Sequence, residues 1–215
     1  MRDATLAAGW PNASAQIGFF GKIPSRGDFV RAGLPRSFIS PWDEWLQAML
    51  PASREALGET WQDAWMEAPI WRFLIQPGIC GPDAVLGVFM PSVDRAGRYF
   101  PLTLACVANR LDAAEAAQSW LDGAEAAGIA ALEHDIEPDG LAEMLQPGAQ
   151  PANDTQMEHA PVPVGDCAWW TEGAPRVPAT AFVTRGLPGA AVFAHMLDAQ
   201  GTGAPVNSAA AVPRS

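Results

Sequence analysis

Hydrophobic residues occur along this chain in short runs separated by segments rich in glycine and proline, a pattern typical of strands and helices alternating in one domain. Apolar or weakly alternating runs predict strands at residues 17–21, 70–76, 85–90, 100–108, 168–170 and 179–183. The run over 100–108 is almost continuously apolar, which indicates a strand covered on both faces of its sheet. Residues 22–35 are predicted to form a structured loop after the first strand.

Helical periodicity begins after this loop, where apolar residues recur at positions i, i+3, i+4 and i+7. These residues are Trp42, Trp45, Leu46 and Met49. Ser40 followed by Pro41 is typical of a helix N-cap and first helical position, so we predict that this helix begins there. Further helices are predicted over residues 53–65, 113–131, 141–145 and 188–197, with a break at 137–140.

The order of these elements predicts an α/β fold. Strands that follow one another like hairpins, with helices between them, favour a three-layer αβα sandwich. Its central sheet is expected to be mixed or partly antiparallel, with helices on both faces. We predict a flexible N-terminal arm over residues 1–16, a single domain over 17–199 and a disordered C-terminal tail over 200–215, together with a mobile loop over 146–163.

The composition disfavours two classes of partner. Hydrophobic residues make up 49% of the 215 residues, so the chain can bury a core. A formal net charge of −11 disfavours nucleic acid and anionic membranes, since both are bound through Lys and Arg. The sequence has no signal-peptide pattern and no apolar run near the roughly 20 residues that span a bilayer. We therefore expect a cytoplasmic protein with no membrane insertion.

No recognisable motif for catalysis or metal binding occurs in the sequence. Cys80, Cys106 and Cys167 form no C-x-x-C pair and are predicted to be buried, unreactive thiols. The segment 18–22 differs from a P-loop, because isoleucine follows Lys22, and no G-x-S-x-G motif is found. The histidines are widely spaced. We predict no catalytic residue, no cofactor and no metal ion.

Two polar segments, 21–30 and 91–101, stand out because each mixes arginine, aspartate, glycine and proline beside a predicted strand. Their charged residues are Lys22, Arg26, Asp28, Asp94, Arg95 and Arg98. These residues could form a surface that binds a partner's carboxylate or phosphate, since arginine binds both groups bidentately. Alternatively, the aspartates could pair with the arginines inside the protein and fix the shape of the loops.

The tryptophans leave a similar choice open. Five of the nine lie within residues 42–71, namely Trp42, Trp45, Trp61, Trp65 and Trp71. They either pack in the core or expose a face for docking a protein, because aromatic anchors dominate binding hot spots.

The same segments carry a family resemblance. The motifs are Gly18-Phe19-Phe20-Gly21-Lys22-Ile23-Pro24, Gly27-Asp28-Phe29-Val30, Leu34-Pro35, Trp42-Asp43-Glu44-Trp45-Leu46, Pro91-Ser92-Val93-Asp94-Arg95-Ala96-Gly97-Arg98-Tyr99-Phe100-Pro101-Leu102 and Trp169-Trp170. In this order, they resemble the TagF (ImpM) family of bacterial proteins associated with type VI secretion systems. The resemblance extends from about Gly18 to Trp170, and weakly on to Leu197.

The resemblance implies an αβα sandwich and a post-translational, non-enzymatic repressor of type VI secretion system assembly. It implies action by binding the forkhead-associated scaffold protein Fha, in or alongside a threonine-phosphorylation pathway. Some relatives are fused to a PppA-type phosphatase domain. Because this chain ends at Ser215, we expect a functional link to a separate PppA-type phosphatase and a threonine kinase. The family assigns no binding role to the six charged residues, which are our own inference.

Two other functions fit the sequence. The arginine and aspartate loops could form a cleft for a small anionic ligand, which would make the protein a sensor or an enzyme with a deep pocket. A purely structural subunit of a larger assembly would instead expose large apolar patches.

Overall fold

The computed structural model describes residues 15–109, 114–146 and 166–201, and its centre is a seven-stranded sheet. The strands are β1 (Gln16–Gly21), β2 (Val30–Ala32), β3 (Trp71–Ile75), β4 (Ala84–Met90), β5 (Leu102–Ala108), β6 (Asp166–Thr171) and β7 (Thr180–Arg185). They lie in the order β2-β1-β5-β4-β3-β6-β7, and each pair of neighbours is antiparallel. The sheet is open, with β2 and β7 at its edges.

Helices cover both faces of the sheet. They are α1 (Arg36–Leu57), α2 (Trp61–Met66), α3 (Ala114–Glu133), α4 (Pro138–Met144) and α5 (Ala190–Leu197). Helices α1, α2 and α5 bury one hydrophobic cluster against the sheet, and α3 and α4 bury a second cluster on the opposite face. The predicted three-layer arrangement is confirmed, and all pairings between the described strands are antiparallel.

The two central strands show why the sheet separates two cores. Every residue of β4 and β5 is buried. For β5, the nearly continuous apolar run predicted this burial. Successive side chains of a strand point to opposite faces. Val85 and Phe89 of β4 therefore join the cluster under α1, while Leu86 and Val88 join the cluster under α3.

The predicted start of the first helix is wrong. Helix α1 begins at Arg36, with Pro35 at its N-cap, and Pro41 lies in its second turn. A proline inside a helix costs about 3 kcal/mol. The earlier start buries Phe38 and Ile39, each of which contributes roughly 1.5–3 kcal/mol. Tertiary packing therefore outweighs the local signal for a start at Ser40.

Three other local predictions also need correction. The helix predicted over 53–65 is divided, because α1 ends at Leu57 with Gly58 as its C-cap at a positive φ of 56°, and α2 begins only at Trp61. The predicted break at 137–140 is instead the start of α4, with proline at its first position. The predicted loop over 22–35 contains the short strand β2. Its three residues are too few to show the alternating pattern of a strand.

Several predictions fall on parts of the chain that the structure does not describe. The N-terminal arm over 1–16, the loop over 146–163 and the tail over 200–215 lie almost entirely outside the described residues. They stay predictions, as does the extent of the domain, 17–199.

Tryptophans and cysteines belong to the core. The five tryptophans between positions 42 and 71 are all buried, so the hypothesis that they form an exposed docking face is wrong. Trp42 lies nearly parallel to Trp169 and also stacks on Phe73. The prediction of buried thiols is confirmed, since all three cysteines are free and buried, and burial raises the pKa of each to about 12.

Candidate functional site: an arginine rim at one end of the sheet

The two polar segments meet because of the strand order. Strands β1 and β4 both pair with β5, which lies between them. Gly21, the last residue of β1, and Met90, the last residue of β4, both align with Leu102, the first residue of β5. The loop after β1 (residues 22–29) and the loop after β4 (residues 91–101) therefore leave the sheet at the same end.

A buried ion pair joins the two loops at their base. Lys22, the only lysine in the sequence, pairs with Asp94, and each residue is 4% exposed. Ser92 Oγ donates a hydrogen bond of 2.7 Å to the carbonyl oxygen of Lys22. The Lys22 ammonium also lies 4.8 Å from the ring centroid of Phe29. These contacts attach the first loop to the second.

Asp94 also organises its own loop. Its Oδ1 accepts hydrogen bonds of 2.9 Å from the backbone N–H groups of Ala96 and Arg98, and its Oδ2 accepts one of 2.8 Å from Arg98 Nε. Burial acts to raise the pKa of Asp94, but the hydrogen bonds from Lys22 and Arg98 outweigh it and hold this pKa well below its usual range. The carboxylate therefore stays charged and fixes the tight turn over residues 94–98.

The outer parts of the loops are also connected. The backbone N–H of Arg95 donates a hydrogen bond of 3.1 Å to the carbonyl oxygen of Arg26. The guanidinium of Arg98 donates to the carbonyl oxygen of Gly27. The side chains that project from the two loops consequently stand on a common, well-connected base.

The exposed arginines of the two loops, together with the exposed Arg31 of β2, form what we call the arginine rim: Arg26, Arg31, Arg95 and Arg98. Phe29 lies among them with half of its surface exposed. Its ring stacks on Phe20 at 5.7 Å and meets Phe100 edge-on at 4.7 Å. The rim thus presents cationic donors around one anchored aromatic ring.

An open groove of about 570 Å³ runs along the rim. Its lining comprises Ser25, Arg26, Gly27, Asp28, Phe29, Val30, Arg31, Arg95, Glu137 and Pro138. Two of these lining residues, Arg26 and Glu137, form an ion pair of 2.5 Å, and both side chains are about half exposed. A second open groove of about 580 Å³ is lined by residues of the loop after β4, including Arg98, and by Arg54, which stacks over Trp61 at 4.2 Å.

The six charged residues predicted from the sequence all lie at this end of the sheet, but in two different environments. Lys22 and Asp94 are buried and brace the loops, whereas Arg26, Asp28, Arg95 and Arg98 reach solvent. Sequence reasoning did not select three further groove residues, Phe29, Arg31 and Glu137. Phe29 belongs to the family motif Gly27-Asp28-Phe29-Val30, so the sequence could have indicated it. No signal in the sequence places Glu137 beside Arg26.

Two further findings concern metal-binding side chains and helix length in the described residues. No group of three or more His, Cys, Asp or Glu side chains in residues 15–109, 114–146 and 166–201 is placed to hold a metal ion. None of the described helices combines the length and apolar character needed to cross a bilayer.

Comparison with known proteins identifies the family. Residues 18–147 match the model of the TagF N-terminal domain, which is described as type VI secretion system-associated. The structure is similar to the crystal structure of PA0076 from Pseudomonas aeruginosa PAO1, with a TM-score of 0.73 and 34% sequence identity. The match covers 92% of this chain and 100% of that chain. No curated protein matches the sequence. The resemblance found in the motifs is thereby confirmed, and the chain belongs to the TagF family of type VI secretion-associated proteins.

Proposed function

We propose that this protein is a non-enzymatic, cytoplasmic regulator that represses type VI secretion system assembly by binding the scaffold protein Fha. Membership of the TagF family supports the link to type VI secretion. The observation that carries the binding function is the arginine rim, with its aromatic centre Phe29, on a chain of net charge −11. A separate PppA-type phosphatase and a threonine kinase would act in the same pathway.

The chemistry of the rim favours binding over catalysis. Lys22 and Asp94 are buried and bonded to each other, and neither lines the groove. The exposed groups are mainly guanidinium ions, which donate hydrogen bonds and stay protonated in proteins. Such groups recognise carboxylates well but are poor general bases.

Repression would follow from occupancy. A partner bound at the rim would be unavailable to the assembling secretion apparatus. The bonds between the two loops hold the rim in shape before binding, which lowers the entropy cost of association. The local positive charge of the rim would orient this end of the protein toward an acidic partner surface during encounter.

Co-purification with Fha followed by calorimetry tests this proposal. We expect a stoichiometric complex of micromolar or tighter affinity, weakened about tenfold or more by Arg95→Glu or Arg26→Glu. Arg185→Glu is the matched control, because Arg185 is exposed at the end of β7, at the opposite edge and opposite end of the sheet. A folded wild-type chain that does not bind Fha would refute the proposal.

The groove at the rim gives a second candidate, a sensor of a small anionic ligand. Its volume of about 570 Å³ is in the range of small-molecule sites, and Arg26, Arg31 and Arg95 line it. A rise in melting temperature with phosphate or a dicarboxylate, lost in Arg26→Gln, would favour this function.

A further inference from the structure

We propose that the groove along the arginine rim binds a carboxylate-rich segment of the protein partner, and that Glu137 competes with this segment for Arg26. The inference rests on the proposed function as a partner-binding protein and specifies the chemistry that the partner would bring. Glu137 would act as an internal carboxylate that occupies the site in the free protein.

The placement of Glu137 is the first support. Its Oε2 lies 2.5 Å from a terminal nitrogen of Arg26, and Glu137 is the residue immediately before α4. Ser25 Oγ donates a hydrogen bond of 2.8 Å to the carbonyl oxygen of Ile136, which holds this segment against the loop that carries Arg26. A carboxylate is therefore held at the position where an incoming carboxylate would bind.

The exposure of this pair makes it replaceable. The side chains of Arg26 and Glu137 are 56% and 52% exposed. Ion pairs in contact with water contribute little to stability, because solvent screens both charges. A partner carboxylate could take the place of Glu137 at small cost, whereas the buried pair of Lys22 and Asp94 would not exchange.

Charge and shape select the kind of partner. The groove lining includes three arginines, Arg26, Arg31 and Arg95, against Asp28 and Glu137. When Glu137 moves away, three arginines face Asp28 alone, so the local positive charge of the groove grows although the chain as a whole is acidic. Phe29 lines the same groove and is half exposed, so the segment should carry an apolar side chain among its carboxylates.

A short synthetic peptide with glutamates on both sides of one leucine is the probe, and a peptide with lysines in place of the glutamates is its control. We expect calorimetry with the full chain to detect binding of the glutamate peptide and none of the lysine peptide. The affinity for the glutamate peptide should fall at high salt. Glu137→Gln should tighten binding by about 2- to 5-fold, the factor that corresponds to one exposed ion pair. Arg26→Gln should weaken it.

Asp139→Asn is the matched control for Glu137→Gln. Asp139 is an exposed carboxylate in the first turn of α4 that does not line the groove, so its variant removes the same charge without freeing Arg26. Equal tightening in both variants would refute competition for Arg26. If neither the wild type nor Glu137→Gln binds the glutamate peptide, the site is refuted. The site is also refuted if the protein binds inorganic phosphate but not the glutamate peptide.

Parallel measurements with Fha separate this inference from the proposed function. If Fha binds the wild type, Arg26→Gln and Glu137→Gln with equal affinity, the carboxylate site is refuted and the proposed function stands. If the glutamate peptide binds with the expected response to Glu137→Gln while Fha does not bind, the site stands and the proposed function fails.

Discussion

Lys22 and Asp94 are 72 residues apart in the sequence and form a buried ion pair beneath the arginine rim. The pair joins the loop after β1 to the loop after β4, and Asp94 also fixes the turn that carries Arg95 and Arg98. Both residues are buried, and Lys22 depends on Asp94 for charge compensation, whereas Asp94 is also paired with Arg98. The rim thus depends on two charged residues that a partner would not touch.

Replacing Asp94 tests this dependence. Asp94→Asn keeps the size of the side chain but leaves the Lys22 ammonium buried without a carboxylate. We expect it to lower the free energy of unfolding by about 3–5 kcal/mol, measured by urea denaturation. Asp28→Asn on the exposed part of the first loop is the control and should change it by less than about 0.5 kcal/mol. Equal midpoints for the two variants would contradict the bracing role.

The stability of the protein should fall in acid, partly through Asp94. Hydrogen bonds hold its folded-state pKa below the unfolded value of about 3.9. Its contribution is therefore complete above about pH 4 and is lost as the pH falls further, when the unfolded state binds the proton first. Asp198 acts in the same direction, because hydrogen bonds from Gly201, Gln200 and Arg176 outweigh its burial and lower its pKa.

Urea midpoints measured from neutral pH down to about pH 3 test this expectation. The wild-type midpoint should decline below about pH 4, and Asp94→Asn should decline less steeply over the same range. Curves that fall in parallel would show that the titration of Asp94 does not contribute.

The centre of the sheet has no room at Gly87 of β4. A Cβ atom at this position would lie 2.5 Å from the carbonyl oxygen of Leu104 and 2.6 Å from the Phe73 ring. Gly87→Ala should lower the free energy of unfolding by about 1–3 kcal/mol, because β4 and β5 must move apart and the Phe73 ring must shift to make room for the methyl group. Gly27→Ala is its control, because no atom beyond the adjacent residues lies within 4 Å of the added Cβ. Thermal unfolding of both variants measures the difference.

The three cysteines should be unreactive in the folded protein. Burial raises the pKa of Cys80, Cys106 and Cys167 to about 12 and also blocks access to reagents. We expect no reaction with a thiol-specific chromogenic reagent at about pH 8, where a free thiolate would react readily. Denaturation should release all three thiols. Rapid labelling of the native protein would mean that at least one cysteine is accessible.

Much of the fold was predictable because the relevant signals are local. The apolar runs that became β4 and β5 and the spacing of Trp42, Trp45 and Leu46 reflect strand and helix geometry over a few residues. The start of α1 was not predictable in this way, since the gain from burying Phe38 and Ile39 depends on the sheet beneath them.

The sequence by itself determined the α/β character, the family motifs and the two segments rich in arginine and aspartate. Only the tertiary structure decided which charges brace and which are exposed, because that depends on β1 and β4 flanking β5 and ending at the same side. The pairing of Lys22 with Asp94 and of Arg26 with Glu137 follows from this long-range arrangement. Residue spacing along the chain carries no record of such contacts, since they form only when distant segments are brought together.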